Sequence, residues 1–208
     1  MAATNAVVDL SHFNDNPDFA QAVAGGLIGV LHKATEGLDY VDPEYANRRA
    51  PAEAAGLLWG AYHFGTGDDP LAQADHFLAT VGSDHGRMLL VLDFEQNPQG
   101  SSMTLDQARA FVSRVQAQTG RWPGFYSGDY VKTLLGDQKD PVLGQCWFWL
   151  SEYGPEAIVP PNWPSWTLWQ YTDGAVGPEP HEAPGIGACD RDQFNGDAAA
   201  LKAFWTGS

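Results

Sequence analysis

The chain is short of positive charge and of long apolar runs, and each shortage disfavours a class of partner. Its 208 residues include 11 Lys and Arg but 26 Asp and Glu, which gives a formal net charge of −15. Such a surface repels the phosphate backbone of a nucleic acid. Nowhere do about 18 apolar residues run together, as a membrane-spanning helix requires. We therefore expect no nucleic-acid partner and no membrane insertion.

Cysteine is also scarce, and this bears on cross-links and metals. Cys146 and Cys189 are too few for a disulfide scaffold and lack the CxxC or HxxxH spacing of a zinc site. Two buried free thiols are expected, with a single bridge as the alternative, and no metal site. The opening MAATNAVVDLSHFND has neither a basic segment nor a long apolar one. No signal peptide is therefore expected, and the route of export is not indicated.

What the chain does contain is apolar and aromatic residues in regular arrangement. Its hydrophobic content of 44% can bury one core, which favours one domain over residues 1–208. Aromatic residues make up 12%, including eight Trp, which suits a protein that stacks rings on sugar faces; a Trp-rich core is the alternative. Runs rich in β-branched and aromatic residues alternate with helical patterns, as in βα units. The predicted strands are 6–10, 27–34, 57–64, 88–95, 122–127, 145–151, 166–171 and 186–190.

Helix-capping residues follow the early strands. Asn16, Asp42 and Asp69 each precede a proline suited to the first helical position. Thr104 and Gln107 have capping-box spacing. Pro51 lies inside the second helical region and predicts a break or kink there.

Beyond residue 140 the connections are rich in proline and are predicted to be loops. Five βα units followed by three strands give eight strands, enough to close a barrel. The predicted fold is thus α/β, a single-domain TIM-like barrel of (β/α)5(β)3 type, with a closing helix over 196–205.

Four acids stand where parallel barrels place their sites, at the carboxyl ends of strands. Asp9 ends the first predicted strand, Asp93 and Glu95 end the fourth, and Asp190 ends the last. Residues two apart on a strand share a face, about 6.6 Å apart, so the carboxyls of Asp93 and Glu95 project together. Their proximity beneath an apolar wall raises the pKa of one of them and keeps a proton available. Phe94 between them is expected to pack against the helices.

A protonated acid beside an ionised one is what glycoside hydrolysis uses. The alternative for an Asp-x-Glu, a helix cap or an ion-paired loop, is disfavoured by the apolar run 88–92, which predicts a central strand. Other polar and aromatic groups near strand ends are candidates for a sugar cleft. For each there is an alternative: the tyrosines as barrel layers, the Lys and Glu as a local ion pair, the His as a core residue. These candidates are Lys33, Glu36, Tyr62, His63, Tyr126, Trp169, Gln170 and Tyr171.

Several motifs in order resemble one known family, the glycoside hydrolase family 25 lysozymes, or Chalaropsis-type muramidases. The resemblance spans nearly the whole chain, with small departures at His32 and at LSEYG in 150–154. The motifs are VVDLSHF at 7–13, HKATEG at 32–37, Tyr40 with DPEY at 42–45, GAYHF at 60–64, VLDFE at 91–95, WPGFYS at 122–127, LWQY at 168–171 and CDRDQFNG at 189–196.

This resemblance implies hydrolysis of the β-1,4 bond between N-acetylmuramic acid and N-acetylglucosamine without metal or cofactor. By motif position Glu95 is expected to be the general acid and Asp93 its partner, with Asp9 and Asp190 as supporting acids. Tyr62 matches a substrate contact. The expected cleft walls are Tyr126, Trp169 and Gln170.

The partner implied is the glycan strand of peptidoglycan, cut by a monomer that acts on the cell wall in an extracellular or periplasmic space. Because Asp93 and Glu95 are too close to straddle a sugar, substrate-assisted retention is predicted, with an inverting route as the alternative. Two other functions are weighed against hydrolysis of peptidoglycan. One is a barrel that binds wall glycans without cutting them. The other is a chitinase-like hydrolase, although the run 89–92 lacks a longer acidic series.

Overall fold

A computed structural model of the chain describes residues 3–207. Within them, strands alternate with helices as predicted. The strands are β1 (Thr4–Leu10), β2 (Gly29–Glu36), β3 (Tyr40–Val41), β4 (Leu58–Phe64), β5 (Leu89–Asp93), β6 (Gly124–Ser127), β7 (Trp147–Ser151), β8 (Leu168–Thr172), β9 (Glu182–Ala183), β10 (Gly187–Ala188) and β11 (Asp190–Phe194). The helices are α1 (Phe19–Ala24), α2 (Tyr45–Ala55), α3 (Pro70–Val81), α4 (Leu105–Thr119), α5 (Asp129–Leu135) and α6 (Ala198–Thr206).

The sheet closes into a barrel, which confirms the predicted (β/α)5(β)3 architecture. Its neighbours run β1-β11-β8-β7-β6-β5-β4-β2, and β1 pairs with β2 to complete the ring. The strands β1, β2 and β4 to β8 pair in parallel wherever they are neighbours, whereas β11 is antiparallel to both β1 and β8. The amino end of β11 therefore meets the carboxyl ends of the other strands at one mouth of the barrel.

The last barrel strand corrects one prediction. Residues 186–190 were expected to form it, but the strand begins at Asp190, and the preceding segment forms the small hairpin β9–β10. Gly185 and Gly187 have positive φ angles of 76° and 84°, which favour a tight turn over a barrel strand. Asp190 thus begins β11 instead of ending a strand. It still reaches the mouth because β11 runs in the opposite direction.

The helix ends follow their predicted capping residues with two exceptions, at α1 and α2. Helix α2 begins at Tyr45 with Glu44 at the cap position and no side-chain capping bond, and Asp42, the predicted cap, instead accepts from the Glu44 N–H at 3.0 Å. Asp69 caps α3, and Thr104 with Gln107 forms the predicted capping box of α4. Helix α1, however, begins at Phe19 with Asp18 as its cap, later than the Asn16-Pro17 pair suggested.

The predicted break at Pro51 is wrong, because α2 continues from Tyr45 to Ala55 through it. Proline removes the hydrogen bond that the carbonyl of Asn47 would accept. Both residues are exposed on the outer face of α2, so water can satisfy that carbonyl.

Apolar side chains fill the end of the barrel opposite the mouth. Trp205 of α6 is fully buried there and donates from its indole nitrogen to the carbonyl of Trp59 at 3.0 Å. Gly29 makes room for it, since a Cβ at that position would lie 2.5 Å from the indole ring. Both cysteines are buried and free, as predicted.

Candidate active site

The four predicted acids lie together at the mouth of the barrel. They share one cavity of about 200 Å³ with three aromatic phenols, one indole and one amide. The residues that line it are Asp9, Tyr62, Asp93, Glu95, Tyr126, Trp149, Tyr153, Gln170 and Asp190.

Strand pairing brings these acids together from distant parts of the chain. Asp9 of β1 and Asp190 of β11 are register partners in an antiparallel ladder. Asp93 ends β5, and Glu95 follows two residues later. Phe94 points away from the cavity, as predicted, and packs against Phe125 with ring centroids 5.2 Å apart. The alternation of a strand therefore presents both carboxyls of the Asp-x-Glu pair to the mouth.

Burial and mutual repulsion hold protons on these acids. Burial raises the pKa of Asp93 well above its usual value, and repulsion from Glu95 adds to the shift, while the Lys33 ammonium opposes it. Burial also raises the pKa of Glu95. Burial, with the charges of Asp173 and Glu95, raises the pKa of Asp190 to about 7. The cavity therefore keeps protons that can be donated near neutral pH.

A fifth acid, Asp192, escaped the sequence analysis. It is fully buried on β11, and its Oδ1 accepts a hydrogen bond from the Trp149 indole nitrogen at 2.6 Å. Burial raises its pKa well above the usual range. The signal was present, because Asp190 and Asp192 are two apart on a strand, the same spacing that drew attention to Asp93 and Glu95.

Trp149 and Tyr153 were also missed. Trp149 lies on β7 and meets Tyr126 edge to face, with ring centroids 4.6 Å apart. Tyr153 follows β7 in a loop, where no strand alternation predicts the direction of a side chain. Its phenol donates to Gln170 Oε1 at 2.7 Å.

Three residues expected at the cleft lie elsewhere. Trp169 and Tyr171 flank Gln170 on β8, and strand alternation places both on the outer face. There the Trp169 indole donates to the carbonyl of Glu152 and the Tyr171 phenol donates to the carbonyl of Pro180, both in loops. His63 is fully buried beneath α3 and α4, between the Thr35 hydroxyl at 2.8 Å and the Gln73 amide oxygen at 3.1 Å. Burial lowers its pKa to about 3, so this His is a neutral core residue.

Lys33 and Glu36 are near the acids but line a neighbouring pocket of about 430 Å³ on the β2 and β3 side. Lys33 Nζ contacts Glu36 Oε2 at 2.5 Å and lies 5.2 Å from the ring centroid of Phe64. Phe13, at the rim of this pocket, is 83% exposed.

A larger cleft of about 610 Å³ lies on the other side, where Glu95 and Tyr153 line both it and the acid cavity. The acid cavity therefore lies between this cleft and the pocket on the β2 and β3 side. We refer to the three together as the groove, with the cleft and the pocket as its two arms.

Comparison with known proteins identifies the family. The family model of the glycosyl hydrolases family 25 matches residues 8–179. The chain belongs to this family. The matched region includes Asp9, Asp93 and Glu95 and ends before Asp190. Family 25 membership thus agrees with the barrel and with the pair of acids at the end of β5.

Similar proteins of known name cover most of the chain. Lysozyme M1 of Streptomyces globisporus is 32% identical, over 95% of this chain and 70% of its own. The N,O-diacetylmuramidase of Chalaropsis sp is 29% identical, over 79% and 86%. Among solved structures, the bacterial lysozyme from Streptomyces coelicolor superposes with a TM-score of 0.85 at 30% identity over 98% of both chains. The family 25 lysozyme from Aspergillus fumigatus gives 0.82 at 30% identity, over 99% and 100%.

Two other features, a metal site and a membrane-spanning helix, are not seen within residues 3–207. In that part of the chain, no group of three or more His, Cys, Asp or Glu side chains is arranged to hold a metal ion. No helix there is both long enough and apolar enough to cross a bilayer.

Proposed function

We propose that the chain is a muramidase that hydrolyses the β-1,4 bond between N-acetylmuramic acid and N-acetylglucosamine in peptidoglycan. The observation that carries this proposal is the meeting of Asp9, Asp93, Glu95 and Asp190 in one cavity at the barrel mouth. Membership of family 25 and relatives named lysozyme or muramidase support it. The same findings do not favour a non-catalytic glycan-binding barrel or a chitinase-like hydrolase.

Glu95 is the general acid in this proposal. Of the five acids it is the one that lines both the cavity and the larger arm of the groove, where a leaving sugar would lie. Its raised pKa keeps the carboxyl protonated at higher pH than a free Glu would be. It donates that proton to the oxygen of the bond that breaks.

Asp93 orients the 2-acetamido group of the muramic sugar. Its Oδ1 is buried and accepts no hydrogen bond from any group in residues 3–207. An unsatisfied acceptor in this place suits the N–H of an acetamido group. Polarised in this way, the acetamido oxygen attacks the anomeric carbon as the leaving oxygen takes the proton of Glu95. Glu95 then removes a proton from the water that opens the cyclic intermediate, which restores the starting configuration.

The groove fits a polymer better than a small molecule. Its two arms leave room for sugars on both sides of the acids, and exposed Phe13 offers an apolar face of the kind on which sugar rings stack.

We also propose that the chain acts on the cell wall, extracellularly or in the periplasm, and that it does so as a monomer.

Product analysis tests the function and the mechanism separately. Mass spectrometry of fragments from defined peptidoglycan should find N-acetylmuramic acid at the new reducing ends; N-acetylglucosamine there would refute the muramidase proposal. Proton NMR of the product formed first should find the β-anomer. The α-anomer would instead establish the inverting route, with Asp93 or Asp9 activating water.

A further inference from the structure

The amide of Gln170 is held at the acid cavity by three short hydrogen bonds, and the Ser151 hydroxyl makes a longer contact with Oε1 at 3.5 Å. Its Oε1 accepts from the phenol of Tyr126 at 2.7 Å and from the phenol of Tyr153 at 2.7 Å. Its Nε2 donates to Asp9 Oδ2 at 2.8 Å. Gln170 is 3% exposed, so little solvent competes for these bonds. The side chain was expected to bind substrate, but its amide is occupied by protein groups.

The three bonds are consistent with one orientation of the amide. An amide oxygen has two lone pairs, and the two phenols fill both. The nitrogen then faces Asp9, and because it can only donate, Oδ2 must be an acceptor without a proton. The opposite orientation places oxygen against Oδ2 and requires a proton between them. The phenol contacts have the usual length of O–H···O bonds, which is shorter than that of N–H···O bonds.

We propose that Gln170 is a positioning residue whose amide, fixed by Tyr126 and Tyr153, keeps Oδ2 of Asp9 unprotonated and directed at the cavity. The proton shared within the acid cluster is thereby held on other oxygens. Oδ2 of Asp9, as an acceptor oxygen without a proton, then faces the positive charge that develops at the anomeric carbon when the glycosidic bond breaks. This inference rests on the proposed muramidase function.

The groups around Asp9 explain why its Oδ2 needs a hydrogen-bond donor to stay unprotonated. Burial raises the pKa of Asp9 well above its usual value, and three neighbouring carboxylates raise it further, while the bond from Gln170 lowers it. Strands β4, β5, β6 and β11 contribute acids or phenols near Asp9. The titratable groups that face it are Asp190 and Asp192 of β11, Asp93 of β5, Tyr62 of β4, Tyr126 of β6, Tyr153 after β7 and Cys189 before β11.

Three variants test the proposal through the pH dependence of kcat/KM on soluble glycan strands. Gln170→Met removes the donor to Asp9, so the acidic limb of the profile should move up by about one pH unit or more. The double variant Tyr126→Phe/Tyr153→Phe keeps Gln170 but releases its amide, and should move the same limb in the same direction. Tyr153→Phe alone leaves one phenol on Oε1 and should leave the limb in place, even where the rate falls.

A carbon NMR titration of the Asp9 carboxyl in the same proteins, without substrate, should find the matching order of Asp9 pKa values. The proposal is overturned if the acidic limb of the pH profile does not move in Gln170→Met or in the double variant, provided that circular dichroism finds both variants folded. A downward shift overturns it as well, because it means that Asp9 donates to the amide oxygen. If Gln170→Met does not fold, the double variant decides. Failure of the wild type to cut glycan refutes the muramidase function instead, and the titration still decides the role of Gln170.

Discussion

Two strands of the barrel carry the same short pattern, an acid, one residue and an acid, with different results. On β5 the pair Asp93 and Glu95 stands at the carboxyl end, so its second member passes beyond the strand and reaches the open groove. On β11 the pair Asp190 and Asp192 stands at the amino end of an antiparallel strand, so its second member points into the barrel and is fully buried. Strand direction thus decides whether the second acid meets substrate or meets the core.

The largest contrast should appear in activity. Glu95→Gln removes the proton donor and should lower kcat by about 10²–10⁴-fold, measured as release of reducing ends from peptidoglycan. Asp192→Asn, at the matching place in the other pair, should lower it far less, because Asp192 lies below the cavity. Glu53→Gln on the outer face of α2 is the control for the same chemical change. An equal loss of kcat in Glu95→Gln and Asp192→Asn would contradict the different roles assigned to the two acids.

The second contrast concerns how stability depends on pH. Asp190 has a pKa of about 7 in the folded chain against 3.8 ordinarily. Between pH 3.8 and about 7 the folded chain therefore keeps a proton that the unfolded chain has released. The free energy of unfolding should fall as the pH rises through this range. Asp190→Asn should reduce that slope by up to about 1.4 kcal/mol per pH unit. Urea-induced unfolding across this range measures it, and an unchanged slope would contradict the assignment.

The smallest effect should be a gain in stability. Asp192 is a buried acid in a cluster of acids, and its Oδ2 accepts no hydrogen bond within residues 3–207. Asp192→Asn keeps an acceptor for the Trp149 indole but cannot ionise. It should raise the free energy of unfolding at neutral pH by about 1–3 kcal/mol, with a smaller gain at acidic pH, where Asp192 is protonated anyway. Thermal unfolding at both pH values measures the difference; a loss at neutral pH would show that the charge is needed for folding.

The same two strands indicate how much of the structure could be predicted from the sequence. The position of β5 was predictable because its apolar run is unbroken and the period of two fixes both acids. The β11 segment was predicted too early, because nothing local distinguishes a short Gly-rich hairpin from a strand end. The barrel and the family also followed from the order of motifs, since capping pairs and strands alternate so regularly in the first 130 residues.

The errors at the cleft have one cause. Neighbouring residues on a strand point to opposite faces, so Tyr62 and His63 cannot both line one cavity, nor can Trp169, Gln170 and Tyr171. Their positions near strand ends suggested all of them, but the alternation of side chains along a strand places them on opposite faces. Tyr153 had no such guide because it lies in a loop, where contacts with distant strands decide the direction of a side chain.

The pairing of β1 with β11 also determines at what stage of synthesis the acid cavity can first form. Asp9 and Asp190 are neighbours in space but stand near opposite ends of the chain. The indole that closes the far end of the barrel comes later still, in α6. A chain still emerging from the ribosome therefore lacks both the final wall of the cavity and its base. Such contacts between distant residues form slowly, because a long loop must close before they are made. The acid cavity therefore cannot be complete before Asp190 and α6 have been synthesised.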